Sequence, residues 1–216
     1  MPKSSLRKRK ILFGVAHNDA DYKVSTDGFK CPYYICWHNM LKRCFYKKFK
    51  RKYQTYESCI LCEEWLTFSN FKQWMEKQDW KDKDLDKDLC GGIIYSPKTC
   101  KFISKSLNRA IKESPKGKYP MGVSYRNKSS DMKSELKNCY QSRIYHNGVR
   151  KSLGAFSTPL DAHKAWQREK TKILTHYADK EQDPDIVNAL LSIARSIEDD
   201  ILNNRITNTL KVGVFL

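Results

Sequence analysis

Residues 139–166 read CYQSRIYHNGVRKSLGAFSTPLDAHKAW, and this stretch decides the fold of the C-terminal half. The side chains alternate in character along Cys139–His146, and a second extended run follows over Val149–Phe156, so two strands are predicted. Asn147-Gly148 between them predicts a type I′ hairpin turn, because both residues tolerate positive φ. Upstream, Gly122–Arg126 predicts a third strand. Together the three runs predict an antiparallel sheet.

The segment after the hairpin predicts a helix that packs on this sheet. Thr158 suits the N-cap, Pro159 suits the first helical position, and Asp161 completes a capping-box pattern. The face expected to contact the sheet is small and flat, and it comprises Ala162, Ala165 and Trp166.

A last amphipathic helix is predicted over 184–203. Its apolar stripe consists of Ile186, Leu190, Ile193, Ile197 and Ile201. Residues 179–204 carry a net charge of −5, so this segment is expected to avoid a polyanion. Because the stripe is too broad to stand free, we expect it to pack on the preceding helix or to serve a homodimer or another protein partner.

The charge distribution predicts a polyanionic partner. The chain has 41 Lys and Arg against 24 Asp and Glu, a net charge of +17. The excess is +11 over residues 1–52 and +9 over residues 114–178. Cationic contacts with a phosphate backbone release condensed counterions, which favours nucleic acid. A basic protein of ribosome or membrane surfaces would show the same net charge.

No apolar run approaches the length of a membrane span, and the N-terminal MPKSSLRKRKILFG lacks the apolar core of a signal peptide. A cytoplasmic location without membrane insertion is therefore expected. In that compartment the eight cysteines should be reduced thiols.

Two short helices and two strands are predicted in the N-terminal half. The first helix runs from Cys31 to about Cys44, and its apolar residues at helical spacing are Trp37, Met40, Leu41 and Cys44. The second helix is expected over 69–78, with Phe71, Trp74 and Met75 on one face. The strands are expected at 93–95 and 101–103.

The C-terminal pattern resembles a known DNA-binding family. The residues that carry the resemblance are Gly122-Val123, the strand Tyr140–Ile144, the run Gly148–Gly154, Phe156, Thr158 and Ala162. They resemble the APETALA-type (ethylene-response-factor) domain over residues 119–178. Such domains also occur in phage endonucleases of mobile elements. The resemblance implies that the open face of the sheet binds double-stranded DNA.

Alternation along the strands predicts which side chains that open face displays. They are Ser124, Arg126, Gln141, Arg143, Tyr145, Arg150 and Ser152. Arginine can bond guanine through two hydrogen bonds and glutamine can bond adenine, so the set suits major-groove readout. An ordinary solvated sheet face is the alternative. Ser152 stands where the plant domains have an aromatic residue, so that contact to a sugar is missing.

The N-terminal half resembles a second family, phage proteins related to HNH endonucleases. The residues that carry this resemblance, over 31–108, are Trp37, Met40, Arg43-Cys44, Tyr56, Cys62, Trp65, Phe68, Phe71, Leu85–Leu89, Tyr95–Pro97, Thr99-Cys100, Phe102 and Asn108. The resemblance implies a ββα-metal core in a degenerate form. The expected fold class is therefore α+β, with an arm at 1–28, an HNH-like domain at 29–113, the sheet domain at 119–178 and a helix with a tail at 184–216.

The resemblance also implies a catalytic set of Asp86, Lys87, Asp88 and Asn108. Lys87 takes the place of the histidine that serves as general base in a working core. A histidine with a pKa near 6.5 can accept a proton at neutral pH, whereas a lysine near 10.4 is already protonated. If the core is active, Asp86 and Asp88 are the expected ligands of Mg²⁺ and Lys87 would hold the scissile phosphate.

Two further groups of side chains are candidate ligands. Four cysteines could hold a structural Zn²⁺, with buried thiols as the alternative: Cys31, Cys36, Cys59 and Cys62. A run of cations could track a phosphate backbone, with a solvated helix end as the alternative: Lys47, Lys48, Lys50, Arg51 and Lys52.

Two functions remain open from the sequence. One is a sequence-specific, HNH-related DNA endonuclease or nickase of the homing type, acting in the cytoplasm of a phage host. The other is a non-catalytic DNA-binding regulator, or a blocker of host DNA enzymes, that keeps the scaffold without the histidine. Lys87 is the residue that separates the two.

Overall fold

The computed structural model describes residues 11–112, 117–126 and 138–211. The chain divides into two compact units, Met1–Ile103 and Ser104–Leu216. The fold is mixed α and β, and the described residues contain six α-helices and nine short strands. Within the described part of the chain, no helix is both long and apolar enough to cross a membrane.

The first unit is built around α1 (Pro32–Phe45), which begins with proline at its first position. The predicted apolar face of this helix is confirmed, because its buried residues are Trp37, Met40, Leu41 and Cys44. A second helix, α2 (Lys47–Lys52), follows after Tyr46. The predicted helix at 69–78 is α3 (Phe68–Glu76), which packs on α1.

The described residues of the N-terminal half also form three two-stranded sheets. β1 (Ser25–Thr26) and β2 (Phe29–Lys30) are antiparallel. β3 (Ile60–Leu61) is parallel to β5 (Ile94–Tyr95), and β4 (Lys83–Asp86) pairs with β6 (Lys101–Ser104). Strands β5 and β6 were predicted from the sequence. Strand β4 was not, because three of its four side chains are charged and only Leu85 is buried.

Residues 11–28 differ from the predicted arm. Ala16 is fully buried, and His17 forms a parallel bridge with Thr67 at the start of α3. The physical reason is composition, since the cations of the predicted arm lie mainly before position 11 and the apolar stretch ILFGVA follows them. Residues 1–10 lie outside the described part of the chain.

The second unit begins with α4 (Lys105–Ile111), whose N-cap Ser104 accepts a hydrogen bond from the Leu107 amide at 3.1 Å. The predicted sheet follows as β7 (Val123–Tyr125), β8 (Tyr140–His146) and β9 (Val149–Phe156). The strands pair antiparallel in the order β7-β8-β9. Asn147 and Gly148 have φ of 51° and 78°, which confirms the predicted hairpin turn.

A β-bulge interrupts the β8–β9 pairing. Ser142 is opposite Gly154 and Arg143 is opposite Ser152, so Leu153 is the extra residue on β9. Gly154 has φ of 120°, a conformation that residues with a Cβ rarely adopt. The bulge therefore depends on glycine at this position.

The sheet packs on α5 (Pro159–Ala178), which is followed by α6 (Pro184–Leu202). The predicted cap of α5 is confirmed, because Thr158 Oγ1 accepts from the Asp161 amide at 3.1 Å. α6 packs on α5 through the predicted stripe, of which Ile186, Leu190, Ile193 and Ile197 are buried. Of the expected ways to cover that stripe, packing on the preceding helix is the one that the structure shows.

Candidate nucleic-acid interface

The register of the sheet places the seven predicted side chains on one face. Residues that pair directly across antiparallel strands share a face, and residues two apart on one strand do so as well. Ser124 pairs with Gln141, Arg143 with Ser152, and Tyr145 with Arg150. Arg126 joins this face because its amide donates to Cys139 two residues before Gln141. We call this set the outer face: Ser124, Arg126, Gln141, Arg143, Tyr145, Arg150 and Ser152.

The opposite face is turned toward α5. Ser142 and Ile144 on β8 are 0% and 3% exposed. Tyr145, which follows Ile144 and belongs to the outer face, is 66% exposed. Lys151 is opposite Ile144, and its Nζ donates to Glu169 of α5 at 2.7 Å. The bulge adds one residue to β9, and on both sides of it the residues of β9 lie on the same face as their partners on β8.

Among the residues that the structure describes, the strands of the outer face carry positive charge and no carboxylate. The three strands contain no Asp or Glu, and three arginines lie on the face. Arg143 donates a hydrogen bond from its guanidinium to the side-chain oxygen of Gln141. This contact holds the two longest central side chains together on one strand. Such an arrangement can present nitrogen donors to an acceptor-rich surface.

The support under the outer face involves a close approach between β7 and α5. A Cβ at Gly122 would lie 2.0 Å from Cδ1 of Trp166, so only glycine fits against this indole. Trp166 is 5% exposed and stacks on His163, with ring centroids 5.3 Å apart at 13°. The tryptophan was predicted to face the sheet.

Three polar residues of α5 were not predicted to be structural, although all are buried: His163, Gln167 and Lys170. They follow each other at i, i+4 and i+7, so they form one polar stripe on the helix. Lys170 Nζ donates to the Ala110 carbonyl of α4 at 2.7 Å and lies 5.3 Å from the Trp166 ring centroid. Burial lowers the pKa of Lys170 to about 8. The i, i+4, i+7 spacing was the available sequence signal.

The cationic run of the first unit forms helix α2, and four of its five cations are exposed: Lys47, Lys48, Arg51 and Lys52. Lys50 differs, because its Nζ donates to the Cys44 carbonyl at 3.1 Å and so caps the end of α1. Lys52 lies over the ring of Tyr53 at 5.4 Å, and Lys42 over that of Phe49 at 5.0 Å. Lys52 of α2 and Lys42 of α1 therefore each make a cation–π contact with an aromatic ring.

The Asp86–Asp88 loop follows β4. One oxygen of Asp86 accepts from the amides of Asp88 at 3.0 Å and Leu89 at 2.8 Å. Burial raises the pKa of Asp86 above its ordinary value, against the effect of the Leu89 amide. This carboxylate oxygen is committed to the loop backbone, as in an Asx-turn.

Lys87 is 4% exposed, and its ammonium is held inside the same loop. Nζ donates to Asp88 Oδ1 at 2.6 Å and to the Gly92 carbonyl at 3.3 Å, and it lies 5.5 Å from the Tyr95 ring. Burial opposes the charged form, but the hydrogen bond and charge of Asp88, with a further contribution from Cys59, raise the pKa of Lys87. Lys87 is therefore a protonated partner of Asp88 and lacks the lone pair of a general base.

The predicted metal ligands do not form a complete set. Asp86 and Asp88, the two predicted ligands, each have an oxygen engaged by protein donors. Asn108, which the resemblance places in the catalytic set, belongs to the second unit. Among the residues that the structure describes, no three His, Cys, Asp or Glu side chains cluster as a metal site would require. At Asp88 the Lys87 ammonium already provides a positive charge beside Oδ1, which disfavours a divalent cation at the same carboxylate.

The four candidate zinc ligands lie in separate environments. Cys31 Sγ is 3.6 Å from the Tyr22 hydroxyl, and burial raises the pKa of Cys36 to about 12. Cys59 is 3% exposed beside Lys87, whereas Cys62 is partly exposed, with burial raising its pKa. All eight cysteines of the chain are free thiols. The environments fit small buried side chains better than a shared zinc ion.

Comparisons of the chain with protein-family models, with curated proteins and with solved structures gave no match in any of the three.

Proposed function

We propose that this chain is a sequence-specific double-stranded DNA-binding protein that places its outer face in the major groove. The observation that carries the proposal is the gathering of three arginines, one glutamine and one tyrosine on a sheet face whose strands contain no carboxylate. The resemblance of residues 119–178 to APETALA-type domains supports the same conclusion.

The dimensions of the sheet suit this role. Strands lie about 4.8 Å apart, so three strands measure about 10 Å across, within the roughly 12 Å of the major groove. Residues i and i+2 are about 6.8 Å apart along a strand, close to twice the base-pair rise of about 3.4 Å. Gln141, Arg143 and Tyr145 are therefore spaced to reach alternate base pairs.

The exposed cations of α2 supply a second, sequence-independent contact with phosphates. A patch of this kind adds affinity without reading bases, and it makes binding steeply dependent on salt. The net charge of +17 is in accord with this role.

Selection of bound duplexes from a random-sequence pool tests the proposal with the full chain. The wild type should enrich a defined sequence, and Arg143→Ala should relax preference at one base pair, since a bidentate contact gives about 1–3 kcal/mol of discrimination. Lys151→Ala is the matched control, because Lys151 lies on the face turned toward α5. Absence of any enriched sequence for the wild type would contradict sequence-specific binding.

A second candidate is an HNH-related endonuclease, and one observation favours it. Apart from β5, which lies between the Asp86–Asp88 loop and β6, the chain order of β4, that loop, β6 and α4 is the one that the resemblance implies for a ββα-metal core. The ion pair between Lys87 and Asp88 favours instead a non-catalytic protein that keeps this scaffold. A regulator or blocker of host DNA enzymes remains the preferred form of the proposal.

Nicking of supercoiled plasmid in Mg²⁺ or Mn²⁺ separates the two candidates. We expect no cleavage by the wild type, because the general base is replaced. Metal-dependent nicking that disappears in Asp86→Ala would establish the endonuclease, since that change removes a metal carboxylate. Lys87→His serves as a gain-of-function arm, because it restores a base of suitable pKa.

A further inference from the structure

The chain turns back after α6 and runs along α5 as a segment that we call the strap, residues 203–211. Thr207 and Leu210 of the strap are each 3% exposed. Gln167 of α5 donates from Nε2 to the Arg205 carbonyl at 3.0 Å and to Thr207 Oγ1 at 2.9 Å. The strap is therefore docked by buried polar contacts, which are more directional than apolar packing.

The His163 ring joins the strap to the segment that leads into β7. The Thr207 amide donates to Nε2 at 3.0 Å, and Nδ1 lies 2.9 Å from the Met121 carbonyl. A backbone amide can only donate, so Nε2 is the acceptor and Nδ1 carries the proton that it donates to Met121. The ring is neutral in this arrangement, and both of its nitrogen atoms are used.

The same ring also supports the close approach of β7 to α5. His163 is fully buried and stacks on Trp166, the indole that lies against Gly122. Gly122 directly precedes β7 and follows Met121. One histidine thus connects three elements: the strap, α5 and the entry to β7.

We infer that His163 is a positioning residue for the outer face. It clamps the strap and Met121 to α5 and thereby fixes β7, which carries Ser124 and is followed directly by Arg126. The inference rests on the proposed function, because those two side chains belong to the face assigned to DNA. It adds that a segment without outer-face residues controls how well that face is formed.

Protonation of the ring would break the clamp. A second N–H at Nε2 would face the donating Thr207 amide, so the contact would become donor against donor. Burial lowers the pKa of His163, against opposing effects of the Met121 carbonyl bond and the Asp200 charge. The charged residues around the clamp are Asp199 and Asp200 of α6, Arg205 of the strap and Lys164 of α5, and β7 contributes none.

The test compares His163→Phe with His176→Phe in the full chain. Phenylalanine keeps a ring but accepts and donates no hydrogen bond, and His176 is the matched control because it is exposed on the same helix. In His163→Phe, amide hydrogen exchange should accelerate by about tenfold or more in the strap and in β7, since buried partners are left unpaired. The β8–β9 hairpin should stay protected, and DNA affinity should fall with the loosening of β7. His176→Phe should change none of these.

The outcomes separate this inference from the proposed function. If the wild type binds no DNA, the proposed function fails, while exchange in β7 still decides whether the clamp exists. If DNA binds and His163→Phe leaves β7 protection and affinity unchanged, the inference is overturned. Release of the strap alone, with β7 intact, would also overturn it.

A pH series keeps the inference testable if His163→Phe does not fold. Exchange of the Thr207 amide in the wild type, corrected for its intrinsic rate, should accelerate as pH falls below about 6.5, the ordinary histidine pKa. His163→Gln, whose amide oxygen can accept from Thr207, should keep part of the protection and lose this pH dependence. Nitrogen chemical shifts of the ring should report the Nδ1–H tautomer at neutral pH. A pH profile that persists in His163→Gln would assign it to another group and refute the role of His163.

Discussion

Among the described residues, each compact unit buries one lysine, and the pKa values of the two lysines shift in opposite directions. Lys87 in the first unit and Lys170 in the second are 4% and 5% exposed. Lys87 pairs with the Asp88 carboxylate at 2.6 Å, and despite burial its pKa is raised. Lys170 has the Ala110 carbonyl at 2.7 Å and the Trp166 ring, and burial lowers its pKa to about 8.

The difference teaches that the partner, and not burial alone, decides the direction in which the pKa of a buried lysine shifts. It bears on the proposed function, because a lysine proposed to replace a general base is informative only when its partner is known. Paired with Asp88, Lys87 remains a cation and holds the loop. The contrast supports the proposal that the Asp86–Asp88 loop is structural and not catalytic.

The largest expected effect concerns Trp166, the indole in contact with the Lys170 ammonium. Gly122→Ala should destabilise the second unit by about 2–5 kcal/mol, because the new Cβ would overlap Trp166 and φ of 79° disfavours alanine. Gly148→Ala is the control, with φ of 78° and no atom within 4 Å, and it should cost only about 1–2 kcal/mol. Urea denaturation measures both, and equal losses would refute the overlap.

The next effect sharpens the comparison through pH. The pKa of Lys170 is lowered in the folded chain, so between about pH 8 and 10.5 the unfolded chain binds more protons than the folded chain. The free energy of unfolding therefore decreases as the pH falls through this range to about 8. The free energy of unfolding of the wild type minus that of Lys170→Met should therefore rise by about 2 kcal/mol from pH 7 to 9.5. If this difference does not change with pH, burial does not lower the pKa of Lys170.

A smaller effect is expected at Lys87. Lys87→Met keeps the buried stem but loses the hydrogen bond to Asp88, which is 43% exposed and can be solvated instead. The cost should be about 1 kcal/mol. Because the folded pKa lies above the ordinary value, this contribution is fully present below about pH 10.5 and should stay constant from pH 7 to 9.5. A rising difference like that of Lys170 would break the comparison.

The sequence predicts well those parts of the fold that local rules determine. The hairpin follows from Asn147-Gly148, the α5 cap from Thr158, and the α1 face from residues at helical spacing. The bulge opposite Ser142 was missed, although an isolated glycine inside a strand pattern, Gly154, was a signal for it. Strand β4 was missed because its identity depends on pairing with β6, which lies 15 residues farther along the chain.

The candidate sites divide in the same way. The outer face follows from alternation, and the register of the sheet places all seven side chains together. The state of Lys87 could not be read from spacing, because it depends on how the Asp86–Asp88 loop turns back on itself. The roles of His163 and Lys170 depend on contacts with Thr207 and Ala110, which are 44 and 60 positions away. The i, i+4, i+7 spacing marks a polar stripe on the helix but does not identify these distant partners.

The smallest expected effect concerns an exposed lysine, which completes the comparison. Lys151 donates to Glu169 at 2.7 Å, but its side chain is 60% exposed. A double-mutant cycle with Lys151→Met and Glu169→Gln should give a coupling of about 0.5 kcal/mol or less, because water screens the pair, and high salt should remove it.

Arg150→Met on the outer face is the matched control for DNA binding, since Arg150 and Lys151 are adjacent on β9 but lie on opposite faces of the sheet. DNA affinity should fall clearly for Arg150→Met and only slightly for Lys151→Met. Equal losses would mean that net charge, and not the outer face, determines binding.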